Sequence, residues 1–195
     1  GNPTPQMIAT AYPDGQSTIR SISMDHETIR ERLGGAIPLN ALLGLVITSI
    51  GDGTAEVRLP FRREVTNHVG GVHATAIFGV AEAASGCAVA GLFAAQATSI
   101  RSVASGGQIR FERLGRSSLT AAASVVGTPS DLRDQLERDG RVAVEVDVIV
   151  RSDGSSSDAA RMTMSWHVLR RHFPRLPGSG ATHFKMPTGC GAHGH

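Results

Sequence analysis

The hydrophobic pattern is clearest in the second half of the chain, where apolar and polar residues alternate. Valine occupies every second position over residues 142–150, and two acids lie among the residues between them. The alternation returns over residues 160–168, after a turn signal at Asp153-Gly154. A period of two is typical of half-buried β-strands. These segments therefore predict two antiparallel strands, each with one apolar face turned toward a core.

Four shorter segments carry a weaker strand signal. The first pair forms a predicted hairpin around Gly51-Asp52-Gly53, and Ile109 and Phe111 are predicted to point inward from a later strand. The four segments are residues 45–50, 54–59, 107–114 and 119–126.

Two amphipathic helices are predicted beside these strands. One covers residues 25–33, with an acidic start and a stop at Gly34-Gly35. The other begins with Thr128 as its N-cap and Pro129 in its first turn, and ends before Gly140. It lies between two of the predicted strands.

Residues 74–94 form a predicted helix that is apolar on every side. Small residues recur along it at spacings of three and four, which lets another backbone approach closely: Ala76, Gly79, Ala83, Gly86 and Ala90. The length would suffice to cross a bilayer, but Glu82 would then lie near the bilayer centre at a cost of roughly 3 kcal/mol. We therefore predict a core helix wrapped by the sheet and no membrane insertion.

Glu82 needs a physical explanation, because a buried carboxylate is costly unless it is paired or solvated. The segment before this helix is a polar loop that contains Asn67, Gly70 and His73. Backbone N–H groups at the helix N-terminus stabilise negative charge. A carboxylate and such donors together are what is needed to attack a carbonyl and hold the resulting oxyanion. A purely structural buried acid is the plainer alternative.

The spacing Asn67-x-x-Gly70-x-x-His73, with an acid nine residues after the histidine, resembles the hotdog-fold acyl-CoA thioesterases of the phenylacetate-pathway and 4-hydroxybenzoyl-CoA types. Residues 38–44 and 53–60 also resemble the lead into the first strand and the second strand of that family. The likeness covers residues 25–170. It implies an α+β hotdog fold, with an antiparallel sheet around a long central helix, and a sheet shared by a homodimer. Pairing of dimers into a tetramer stays open.

The resemblance also implies residue roles in hydrolysis of an acyl-CoA. The Ala74 N–H would polarise the thioester carbonyl, and Glu82 of the facing subunit would act as nucleophile or as base for water. His73 would hold the loop or the thioester, and Asn67 would contact substrate or water. Coenzyme A is then part of the substrate, and no separate cofactor is implied. Many members have His-Gly-Gly where this chain has His73-Ala74-Thr75.

Five further residues are candidates for substrate binding. Gly70 and Gly71 would supply backbone conformations closed to other residues, and Phe78 would line the acyl pocket. Ser85 would orient the carboxylate or a water, or would only pack. Arg110 would meet the phosphates of coenzyme A, or would lie on a solvated strand face.

Composition argues against several classes of partner and of site. A net charge of +2 and 4% aromatic residues argue against nucleic acid as a partner. Two cysteines do not make a disulfide framework, and no basic region precedes an apolar run at the start, so we expect a cytoplasmic protein. The length fits a single domain over residues 21–172, with poorly ordered residues 1–20 and a Pro/Gly/His-containing tail over residues 173–195. The tail residues His183, Cys190, His193 and His195 match no zinc spacing, so no metal is predicted.

Three other functions compete with hydrolysis. A non-enzymatic module could bind or sense acyl-CoA on the same fold. A hydratase or dehydratase would place its acid on another element, a pattern that this chain lacks. A structural dimerisation domain would have no ligand-sized cavity at its interface.

Overall fold

The computed structural model describes residues 24–171, so the predicted end segments at 1–20 and 173–195 lie outside the described residues. Four α-helices and six strands follow one another along the chain. The helices are α1 (His26–Ala36), α2 (Pro38–Leu43), α3 (Ala74–Leu92) and α4 (Pro129–Asp139). The strands are β1 (Val46–Ile50), β2 (Thr54–Leu59), β3 (Ile100–Phe111), β4 (Leu119–Val125), β5 (Arg141–Ser152) and β6 (Asp158–Arg170).

The six strands form one antiparallel sheet in the order β1-β2-β4-β5-β6-β3. Strands β5 and β6, the two segments with the clearest alternation, pair along their length, with Val144 opposite Trp166 and Val148 opposite Met162. All four of these side chains are buried. The predicted period of two is confirmed there.

The sheet wraps α3, which is the core helix of the chain. Twelve of its nineteen residues are buried, and they pack mainly against β2, β4 and β5. Among the described residues α3 alone is long and apolar enough to cross a membrane, and here the sheet covers most of it. This arrangement confirms the predicted α+β hotdog fold.

Strand β3 differs most from its prediction. It begins at Ile100 instead of residue 107, and residues 101–108 are all exposed. No apolar alternation marks that stretch, because the described residues cover neither of its faces. Phe111 was predicted to face inward, and it lies opposite the buried Ala160, on the inner face of the sheet, but 47% of it is exposed. It is not covered because β3 is the last strand of the sheet among the described residues, beside β6.

Two helix ends also differ from prediction. Helix α1 begins as predicted, with the Asp25 carboxylate accepting a hydrogen bond from the Thr28 N–H at 2.7 Å, but it continues through Gly34 and Gly35 to Ala36. Helix α4 follows Thr128 as expected, yet the threonine side chain makes no capping hydrogen bond. Neither difference moves an element that carries the candidate site.

Candidate active site

The loop before α3 is organised by the side chain of Asn67. Its Oδ1 accepts hydrogen bonds from the N–H groups of Val69 and Gly71, both at 3.1 Å. The backbone N–H of Asn67 also donates to the Gly71 carbonyl at 2.8 Å. The Oδ1 acceptor of Asn67 is thus occupied by the loop itself. The Nδ2 donors of Asn67 are available to a ligand.

The two glycines of this loop are needed for different reasons. Gly70 has a φ of +75°, in the left-handed region that favours glycine. Gly71 has no such backbone, but a Cβ there would lie 2.3 Å from Leu114 Cδ1. The Val72 N–H donates to the Gly115 carbonyl at 2.8 Å. The loop is therefore held against the chain that follows β3.

His73 caps α3 with its own side chain. Its Nδ1 accepts a hydrogen bond from the Thr75 N–H at 3.1 Å, so the neutral ring carries its proton on Nε2, and the exposed ring can offer that donor. The Ala76 and Ile77 N–H groups bond to the His73 carbonyl. Ala74 is exposed and its N–H has no acceptor among residues 24–171. It is the free donor at the positive end of α3.

Glu82 lies in the middle of α3 and is half-buried. Burial raises the pKa of its carboxyl group. The charge of Glu82 adds to the effect of burial on Cys87, and together they raise the pKa of that thiol to about 12. No hydrogen bond or ion pair to the Glu82 carboxylate is formed within the described part of the chain. A carboxyl in this state is suited to proton transfer or nucleophilic attack.

Two bulky side chains flank Glu82 along the helix, and sequence reasoning missed both. A Cβ at Gly79 would lie 2.7 Å from Leu43 Cδ1, and a Cβ at Gly86 would lie 3.2 Å from Trp166 Cη2. Positions 79, 82 and 86 share one helical face. The spacing of the small residues did predict a close approach to α3. In the structure, side chains of α2 and β6 from the same chain make that approach.

Ser85, a candidate for substrate binding, is fully buried. Its Oγ donates to the Glu82 carbonyl at 2.7 Å and accepts a hydrogen bond from the Trp166 indole at 3.1 Å. These contacts are to the backbone of Glu82 and to the sheet, not to the carboxylate. Phe78 lies one turn before Glu82 and is half-buried against the core.

The carboxylate and the helix N-terminus do not meet within one chain. Glu82 follows Ala74 by eight residues on the same helix, an axial separation of about 12 Å at 1.5 Å per residue. A single thioester carbonyl cannot contact both groups across that distance. Asn67, Gly70, Gly71, His73 and Ala74 therefore form one cluster, and Glu82 and Phe78 lie apart from it.

Arginines gather where β3 ends, close to the loop before α3. Arg110 lies directly opposite Arg161 across β3 and β6, and both line a cavity of about 460 Å³ on the outer face of the sheet. Arg113 and Arg151 line a neighbouring polar cavity of about 450 Å³. Arg151 and Arg161 each pair with Asp158, whereas Arg110 and Arg113 have no carboxylate partner within residues 24–171.

No group of three or more His, Cys, Asp or Glu residues is placed to hold a metal within the described residues. The histidines and the cysteine of the C-terminal tail lie outside them.

A family model described as a domain of unknown function, DUF4442, matches residues 27–168. The chain belongs to the DUF4442 family. This match spans α1 to β6 and includes the loop at Asn67 and the helix that carries Glu82. A comparison with curated proteins finds no match.

Several solved structures share the fold of this DUF4442 chain. A conserved protein of Pseudomonas aeruginosa is 26% identical, with 72% of this chain and 98% of that one covered and a TM-score of 0.58. A second protein of that organism, called a probable thioesterase of unknown function, is 17% identical, with 76% and 99% covered and a TM-score of 0.65. A thioesterase family protein from Silicibacter pomeroyi is 21% identical, with 75% and 99% covered and a TM-score of 0.61.

Proposed function

We propose that this protein hydrolyses acyl-CoA thioesters to a free acid and coenzyme A, as a homodimer. The observation that carries the proposal is that α3 holds two polar groups without hydrogen-bond partners among the described residues. Glu82 is a half-buried carboxylate with a raised pKa, and the Ala74 N–H is a free donor at the helix N-terminus. The names of two neighbours in fold, a probable thioesterase and a thioesterase family protein, agree with this chemistry.

A second copy would bring the two groups together. The outer edge of β3 has no strand partner among residues 24–171, and a long exposed edge strand is a template for pairing with another chain. Antiparallel pairing of two β3 strands would continue the sheet and lay the two α3 helices side by side. The Ala74 N–H of one subunit would then face Glu82 of the partner subunit, which removes the separation of about 12 Å.

The chemistry follows from these positions. The Ala74 N–H donates to the thioester carbonyl oxygen and stabilises the negative charge that develops there. The partner's Glu82 either attacks the carbonyl carbon or takes a proton from a water that attacks it. If Glu82 attacks, the coenzyme A thiolate leaves, an acyl anhydride forms on Glu82, and a water then hydrolyses it to the free acid. If Glu82 acts as base, the water oxygen bonds to the carbonyl carbon, the thiolate leaves and takes the proton back from Glu82, and the free acid is released. His73 Nε2–H and the Asn67 Nδ2 group are the nearby donors that hold the carbonyl or the water.

The arginines near the end of β3 favour coenzyme A as the carrier of the acyl group. Arg110 and Arg113 lack carboxylate partners within residues 24–171, and Arg113 immediately precedes the residues that contact the loop before α3. Guanidinium groups bind phosphate oxygens by charge-assisted hydrogen bonds. We therefore assign the phosphates of coenzyme A to this cluster.

The deciding experiment measures free thiol release from a panel of aliphatic and aryl acyl-CoA esters. Glu82→Gln keeps the shape of the side chain and removes the charge, and we expect it to lower turnover by about a hundredfold or more. Glu145→Gln, on an exposed position of β5, is the matched control and should leave turnover unchanged. Equal turnover by wild type and Glu82→Gln would contradict the assignment. Tight acyl-CoA binding without any turnover would instead favour the binding module.

The carrier is tested with acyl-pantetheine, which lacks the nucleotide and its phosphates. Arg113→Ala should raise KM for acyl-CoA several-fold and leave KM for acyl-pantetheine unchanged. Arg101→Ala, near the opposite end of β3, is the control and should affect neither substrate. A rise in KM for both substrates would show that Arg113 acts on the fold of the loop and not on the phosphates.

A further inference from the structure

A buried hydrogen bond ties the turn of α3 that carries Glu82 to strand β6. The Trp166 indole N–H donates to Ser85 Oγ at 3.1 Å, and the Ser85 hydroxyl donates to the Glu82 carbonyl at 2.7 Å. Ser85 is 0% exposed and Trp166 is 8% exposed. Within residues 24–171 this is the one fully buried hydrogen bond between two side chains.

Packing alone does not explain a polar pair at this position. The surface between α3 and the sheet is otherwise made of apolar residues, and a buried polar group costs free energy unless it is satisfied. Here both groups are satisfied, which makes the contact directional. Buried residues occupy most of the circumference of α3, so burial discriminates weakly between rotations of this helix. Because the hydrogen bond is directional, it specifies a single rotation of α3.

Trp166 also contacts α3 at the residue that follows Ser85. A Cβ at Gly86 would lie 3.2 Å from its Cη2 atom and 3.3 Å from its Cζ2 atom. The indole thus bonds to the residue three positions after Glu82 and packs against the residue four positions after it. Strand β6, which carries Trp166, is the neighbour of the open edge strand β3.

We propose that Trp166, acting through Ser85, is a positioning residue that fixes the rotation and height of α3 so that Glu82 faces the thioester carbonyl. The role rests on the proposed hydrolysis, because it assigns the geometry of that same carboxylate. Trp166 and Ser85 themselves do not touch the reacting atoms. A displacement of about 1 Å at a reacting group can cost about a hundredfold in rate, so a contact that holds the helix in place has a large kinetic effect.

The test compares Trp166→Phe, Ser85→Ala and the double variant with wild type. Each single variant should lower kcat by about tenfold and leave KM within twofold, because substrate contacts remain. The double variant should be no slower than either single variant, since both break the same bond. Val89→Ala, buried elsewhere on α3, is the control: it should lower the melting temperature without changing kcat.

A second readout does not depend on turnover. The Glu82 carboxyl is titrated by NMR in the folded protein after isotopic labelling of glutamate. If the bond fixes the helix, Ser85→Ala and Trp166→Phe let the carboxyl reach water, and the pKa of Glu82 falls toward its ordinary value. The Cys87 thiol is the titratable neighbour whose pKa responds to Glu82, and it stays neutral over that range. Val89→Ala should leave the titration where it is.

The chain offers a third readout, because Trp166 is its only tryptophan. Its emission should change in Ser85→Ala, which removes the acceptor of the indole N–H, and should not change in Val89→Ala.

The outcomes separate the two ideas. If wild type hydrolyses acyl-CoA and Glu82→Gln does not, while kcat and the Glu82 titration are unchanged in both Ser85→Ala and Trp166→Phe, the positioning role is overturned and the proposed function stands. If wild type hydrolyses nothing, the proposed function fails. The titration then still decides whether Trp166 fixes the position of Glu82.

Discussion

Glu82 is the single charged residue among the nineteen of α3, and its environment gives it a pH dependence. Burial raises the pKa of its carboxyl group in the folded protein. The folded state therefore keeps a proton on Glu82 over a pH range in which the unfolded chain has lost it. Stability is greater below that range and lower above it.

Hydrolysis and stability should thus respond to acid in opposite ways at this residue. Turnover should fall as the pH drops through the raised pKa, because the reaction needs the carboxylate. Glu82→Gln should raise the melting temperature at neutral pH, and that gain should shrink as the pH falls from the raised pKa of Glu82 to the ordinary carboxyl value of about 4.3. Pairs of melting curves for both proteins from pH 4 to pH 8 measure this. A gain that grows in acid would contradict the burial of the charge.

The loop side chains permit substitutions that separate structure from chemistry. Asn67→Asp keeps an oxygen for the N–H groups of Val69 and Gly71 and removes the Nδ2 donor. We expect this variant to fold normally and to lose activity. Asn67→Ala should lose activity and also stability, by about 1 kcal/mol for the missing acceptor. Turnover and chemical denaturation of both variants provide the measurement, and full activity in Asn67→Asp would show that Asn67 serves the loop alone.

At the scale of elements, helix α4 supports the C-terminal end of the core helix α3. Leu136 is fully buried, and Arg133 donates to the Leu92 carbonyl in the last turn of α3 at 2.9 Å. The same guanidinium pairs with Asp52 in the turn between β1 and β2. The pair lowers the pKa of the Asp52 carboxyl. One side chain thus joins three elements at the end of the fold opposite to the candidate site.

Arg133→Ala should lower the free energy of unfolding by about 1–2 kcal/mol, because it leaves a helix carbonyl without its donor. It should not change kcat, since the site lies at the other end of α3. The matched control is Arg138→Ala, whose exposed pair with Asp139 should be worth little. Urea unfolding of the three proteins provides the comparison, and a loss of kcat in Arg133→Ala would mean that the two ends of α3 are coupled.

At the scale of the whole molecule, the outer edge of β3 is the edge of the sheet that no described residue pairs with beside β6. Twelve residues lie along it, and just two of them are charged. An edge that long and that poor in charge is an aggregation hazard unless it is covered. The proposed homodimer would cover it and would supply the second half of the proposed site.

Charge on β3 should therefore break both assembly and activity. Val103→Lys adds a charge at the edge, and a two-fold axis would bring two such charges close together. Ala143→Lys is the control, because Ala143 is exposed in the same row of the sheet, two strands farther in. Light scattering coupled to size exclusion should show a monomer for Val103→Lys and a dimer for the control, with activity lost in the monomer alone. A fully active Val103→Lys monomer would exclude a shared site.

The local patterns of the sequence determine most of the secondary structure and the loop motif. Strand β2 has its predicted bounds, and β5 and β6 follow their alternation, because burial on one face of a strand leaves a period of two in the sequence. Helix α3 could be predicted because a proline-free run of apolar residues of that length has to be buried. The special backbone geometry of Gly70 could also be predicted from its place in the loop motif.

The tertiary structure alone decided how these parts meet. Leu43 and Trp166 flank Glu82 from elements that are far away in sequence, and no local pattern records such contacts. The first half of β3 was missed because a strand with no covered face needs no apolar alternation within its own chain. The separation of Glu82 from the Ala74 N–H follows from the rigid rise of a helix. Whether that gap closes depends on a second chain, because neither residue can move along the helix toward the other.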